Sequence, residues 1–122
     1  MEATLPEILD KISILKIKLE HAEADVKINL FSELDECIKS LRLFEDKGIK
    51  VKQEWSGALY DANKEGWELY DRMAREEKKE NPDFVEMGRI YIDMQIANKK
   101  RVAVKNQITE ETGEGFKDVK IN

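Results

Sequence analysis

The stretch Thr4–His21, TLPEILDKISILKIKLEH, decides the fold. Leu5, Ile8, Leu9, Ile12, Leu15 and Leu19 recur at three- and four-residue spacing and, with Ala22, define one apolar face of a helix. Pro6 stands in the first turn, where its missing N–H costs nothing, and Thr4 with Glu7 has the pattern of a capping box. The other face is unusual. At about 100° per residue, Glu7, Asp10, Lys11, Ile14, Ile17, Lys18 and His21 fall within roughly 120° of one another, opposite that stripe. A purely solvated face does not normally carry two isoleucines. The helix is therefore expected to bury both sides, one of them with ionisable groups.

Working outward, the first helix should run from Leu5 to about Ala24, with a short turn near Asp25 and helix again soon after. Leu30, Leu34, Cys37, Ile38, Leu41 and Phe44 mark a second helix, with Ser32 and Asp35 as an alternative start and Gly48 as a C-terminal cap or loop residue. A third helix begins between Ile49 and Glu54 and runs to about Lys79 on a stripe of Val51, Trp55, Ala58, Leu59, Ala62, Leu69 and Met73. Gly57 and Gly66 lie on or beside that stripe, and each costs about 1 kcal/mol against alanine, so a neighbouring helix is expected to approach closely there. Asn81-Pro82-Asp83 reads as a stop and a new start, with Asn81 as N-cap and Pro82 as first residue. The fourth helix then spans about Pro82 to Glu111, with Met87, Ile90, Tyr91, Met94, Ala97, Val102 and Ile108 on its inner face. Gly113 and Gly115 end it, and a short tail, FKDVKIN, follows.

These elements predict an all-α protein: one domain over residues 1–122, an antiparallel up-down bundle of about four helices, the last two longer. The excess length of the last two could pair with a second copy, which suggests a homodimer. Charged residues are 39% of the chain and the net charge is −5, so no electrostatic case exists for nucleic-acid binding. No apolar run approaches the roughly 20 residues of a membrane span, and MEATLPE lacks the basic start and apolar core of a signal peptide. Cys37 is the only cysteine, which excludes an internal disulfide and fits a reducing compartment, so the cytoplasm is the expected location.

Three helices each offer a polar patch that can face inward. They are Asp10, Lys11 and Lys18; Asn63, Trp67 and Asp71; and Asn98, Arg101 and Lys105. Arg and Lys on an inward arc are costly unless they meet a carboxylate, a ligand anion or water. Two readings stay open. In one, the patches hold a carboxylate or phosphorylated small molecule: the lysines and Arg101 bind charge, the asparagines orient, Trp67 walls the site, and Asp10 or Asp71 acts as acid or base if a reaction occurs. In the other, Asp10–Arg101 and Asp71–Lys18 are interhelical ion pairs in a non-catalytic interaction or scaffold protein. No glycine-rich phosphate loop, nucleophile turn, paired Glu-x-x-His motif or magnesium-binding carboxylate cluster occurs, and no metal or cofactor is expected; His21 with Glu20 and Asp25 is too weak a set of ligands.

The run Asp10–Lys18, DKISILKIK, resembles the opening helix of a family of small bacterial proteins known as domain of unknown function 6165. Asn63, Trp67 and Asp71 look like that family's Asn…Trp…Asp helix, and Asn98, Arg101, Lys105, Ile108 and Gly113 look like its ending. Lys99, Val102 and Thr109 depart from the pattern, at positions where the family often has Asp, Ala and Asn. The resemblance implies that the three polar patches form one unit. It implies no activity.

Overall fold

The computed structural model describes residues 3–115; the expected C-terminal tail lies outside the described residues. Four α-helices follow one another: α1 Leu5–His21, α2 Ala24–Asp46, α3 Gln53–Glu77 and α4 Phe84–Thr112. The all-α bundle read from the sequence is what forms, and no helix among the described residues is long and apolar enough to cross a membrane.

The helix ends show where local chemistry acted. Thr4 starts α1 without a side-chain cap; its carbonyl takes the Ile8 N–H at 3.0 Å, and Glu7 stays in solvent, so the expected capping box does not form. Ala22 and Glu23 are extended and break the chain at His21, three residues before the expected end, so α2 starts well ahead of Ser32. Gly48 takes the left-handed φ of 91° that closes the following loop. At α4 the cap is Asp83 and not Asn81: its carboxylate accepts the N–H groups of Val85 and Glu86 at 3.0 and 3.2 Å. Pro82 thus precedes the helix. The buried Glu76 carboxylate, at the end of α3, accepts the Asp83 N–H at 2.9 Å and ties the turn down.

α1 is the hub. It packs against α2, α3 and α4, whereas α2 touches no helix but α1. The two faces expected of α1 are real: Leu5, Leu9, Ile12 and Leu15 are buried on one side, and Asp10, Ser13 and Ile17 on the other. Three apolar clusters result. Leu5 and Leu9 join Trp55, Leu59 and Ile108, so α1, α3 and α4 share a core. Ile8, Ile12 and Leu15 meet Cys37 and the half-buried Leu30, Leu34 and Leu41 of α2. Leu69, Ile90 and Ala97, with Met73 and Met94, form a third cluster made by α3 and α4 alone.

Two details differ from the sequence reading. Tyr91 does not lie on the inner face of α4 but is 55% exposed. The stripe that turns inward is Ile90, Met94, Ala97, Arg101, Val104 and Ile108, at strict four-three spacing. Nothing lies within 4 Å of a side chain built at Gly57 or Gly66, so no helix approaches closely at either.

Candidate functional site

Asp10 is the centre of the polar cluster. It faces away from α2, toward α3 and α4, and is buried. Because α4 turns one residue in three or four inward, Arg101 stands on the buried stripe between Ala97 and Val104. Its guanidinium meets the carboxylate in a fork: Nη2 donates to Oδ2 at 2.8 Å, and Nε is shared between Oδ1 at 3.0 Å and Oδ2 at 3.1 Å. From α3, Asn63 Nδ2 donates to Asp10 Oδ1 at 2.8 Å and to Ser13 Oγ at 2.7 Å. Ser13 Oγ in turn donates to the Asp10 carbonyl at 2.7 Å. Asn98 holds the outer edge of the fork, its Oδ1 accepting from Arg101 Nη1 at 3.0 Å. A single carboxylate of α1 thereby holds one side chain from α3 and one from α4.

The electrostatics follow from that geometry. Burial by itself pushes the Asp10 carboxyl up. The hydrogen bonds from Arg101 and Asn63, with the charges of Arg101 and Lys105, outweigh burial and hold it below the usual carboxylate range. Asp10 is therefore ionised at neutral pH and serves as an acceptor, with both oxygens taken. Lys105, half-buried one turn beyond Arg101, adds positive charge beside the pair. A small hollow of about 130 Å³ borders the cluster, lined by Ala62, Asn63, Gly66, Met94, Asn98 and Arg101 among others.

Of the nine residues read as a site, the fold brings together Asp10, Asn63, Asn98, Arg101 and Lys105. It disperses the rest. Lys11 is exposed on the α2 side of α1, in a groove with Glu33, Glu36 and Cys37. Lys18 is exposed and meets no carboxylate of Asp71, which instead pairs with Arg75 one turn along its own helix at 3.6 Å. The expected Asp71–Lys18 bridge does not form. Trp67 is 37% exposed and stacks on His21, ring centres 5.1 Å apart and planes 13° from parallel. Trp67 and Asp71 thus line a separate surface groove of about 540 Å³ with His21, Glu68, Arg72 and Arg75. The reason is angular: Lys18 and Lys11 stand about 80° and 100° round α1 from Asp10, past the edge of the buried arc, where long cationic side chains reach for water.

Two groups near the cluster lie outside the nine residues read as a site. Ser13 is one; its only signal was its place three residues after Asp10, on the same helical face. The other is a polar trio where α1 ends, in which the Tyr60 hydroxyl donates to Glu20 and Lys64 lies over the Tyr60 ring. No family model, curated protein or solved structure matches the chain.

Proposed function

We propose that the protein is a non-catalytic helical interaction module, in which the Asp10–Arg101 cluster sets how α1 seats on the α3–α4 hairpin. The observation that supports this reading is the saturation of the buried carboxylate: both oxygens of Asp10 are taken by Arg101 and Asn63. A buried charge pair of this kind contributes more to register than to net stability, because an apolar pair of similar size would serve nearly as well. A slip of α1 by one residue would carry Asp10 about 100° away from Arg101 and strand both charges. The residues shared with domain of unknown function 6165 that converge here agree with treating the cluster as a unit, and membership of that family is part of the proposal. The lone buried thiol of Cys37 agrees with a cytoplasmic location.

A second reading rests on one observation, the positive charge of Lys105 beside a pair already neutral in itself. It makes the hollow at Asn98 and Arg101 a site for a small carboxylate or phosphate. Thermal-shift measurements with inorganic phosphate and simple dicarboxylates separate the two. The interaction module shows no anion-dependent rise in Tm in wild type. A rise that vanishes in Arg101→Met and Lys105→Met would establish the anion site and remove our first reading.

A further inference from the structure

The N-terminal half of α4 is apolar on more sides than the chain covers. One side packs on α3 through Ile90, Met94 and Ala97. The charged residues gather on a neighbouring arc, where Glu86 pairs with Arg72 at 3.0 Å and Lys100 with Glu65 at 3.3 Å. Going round the helix at about 100° per residue, the remaining arc of roughly 160°, up to the exposed Lys99 that closes it one turn beyond Gln95, carries Phe84, Val85, Gly88, Tyr91, Ile92, Gln95, Ile96 and Asn98. None of them is charged, in a chain that is 39% charged. Phe84 is 77% exposed and Ile92 59%. Gly88 has no neighbour within 4 Å to explain it, although glycine weakens a helix interior. A helix apolar nearly all round is one that is buried nearly all round.

We infer that two copies of this chain pair through this face, α4 against α4, antiparallel about a two-fold axis near Tyr91. The inference rests on the reading of the protein as an interaction module and names its partner. Two observations select a second copy. The first is charge. Arg89 stands at one margin of the face and Asp93 about 40° beyond it on the same side; both are exposed and make no ion pair among the described residues. An antiparallel approach centred between them sets Arg89 of each copy beside Asp93 of the other, so the margin is complementary to its own reverse. The second is area. At roughly 150–200 Å² for a large side chain, Phe84, Val85, Tyr91, Ile92 and Ile96 expose on the order of 500 Å², most of the ~800 Å² that each partner gives to a stable interface. Gly88 lets the two backbones draw close where the helices cross.

Sedimentation velocity of the full chain over a concentration series tests this. Wild type sediments as a dimer, and Ile92→Glu as a monomer with an unchanged helical circular-dichroism spectrum. Arg89→Glu and Asp93→Arg each place like charges across the axis and weaken the dimer roughly tenfold. The double variant Arg89→Glu/Asp93→Arg restores the pairing and regains wild-type affinity. A wild-type chain that stays monomeric leaves the face to a different protein and overturns the inference. So does a dimer unaffected by Ile92→Glu, or a double swap as weak as the single ones. None of these results depends on anions, so they are distinct from those that would remove the interaction-module reading.

Discussion

The root of the α3–α4 hairpin and its far end are built from the same repeat and differ in company. At the root, Trp55, Leu59 and Ile108 meet Leu5 and Leu9 of α1, and the core is closed on three sides. Beyond the stack of His21 on Trp67, α1 has ended and α3 and α4 continue as a pair, with Leu69, Ile90 and Ala97 as the buried apolar residues of the cluster between them. The spacing of apolar residues does not change along the way. What changes is whether a third helix is there to cover the flank. Tyr70, Phe84 and Tyr91 are exposed because of what is missing beside them.

The largest test of this contrast is in the core. Leu59→Ala, at a position with no exposure, should cost about 4 kcal/mol in urea unfolding, whereas Leu69→Ala in the two-helix cluster should cost about 2 kcal/mol, since a thinner core relaxes into the space. Equal costs would mean that the far end is as tightly packed as the root.

Next is the ion pair that holds the root together. Arg101→Met strands a buried carboxylate and should cost about 3 kcal/mol. Asp10→Leu should cost less, about 1–2 kcal/mol, because the Arg101 side chain is 30% exposed and can turn its charge to water. The double variant Asp10→Leu/Arg101→Met should return to within about 1 kcal/mol of wild type. If the double variant loses as much as the sum, the cluster does more than compensate its own desolvation.

At the far end, the turn between α3 and α4 offers a smaller effect. Asp83→Ala removes the α4 cap and should cost about 1 kcal/mol, with hydrogen exchange quickening at Val85 and Glu86 and not at Trp55 or Leu59.

The smallest effect is in pH. The folded-state pKa of Asp10 is lowered, so its contribution to stability is complete above the unfolded value of about 3.9 and is lost as pH falls through the folded value. Stability should therefore fall less steeply below about pH 4 in Asp10→Leu/Arg101→Met than in wild type. Parallel curves for the two proteins would show that the pair adds nothing to acid sensitivity.

Much of the fold was readable before any coordinate. The double-sided character of α1 came from two isoleucines on the face that Asp10 occupies, and both halves of that face's partner set, Asn63 and Arg101, stood at inward positions of their own helices. The sequence misleads where one residue's angle decides between interior and margin. Tyr91, one position after Ile90, sits about 100° away from it and falls outside the seam. Lys18 and Asp71 each lie on a helical face that touches the cluster's face, and the periodicity does not tell a face from its edge. Asn81 and Asp83 are equally good caps by type; the choice went to Asp83 because Glu76, at the end of the preceding helix, holds its N–H.

By itself, the order of residues determined that there are four helices, roughly where each stops, and which stripe of each is apolar, since these follow from local spacing and from the breakers at Gly48 and Pro82, while the break at Ala22–Glu23, between two good helix formers, did not show in it. Only the tertiary structure decided that α1 is the hub and α2 its outrigger, that Asp10 chooses Arg101 while Asp71 keeps to Arg75, and that half of α4 is left uncovered. Those outcomes depend on where helices end relative to one another in space. A helix's own sequence specifies which of its faces are apolar, and it leaves open which neighbour is long enough to cover them.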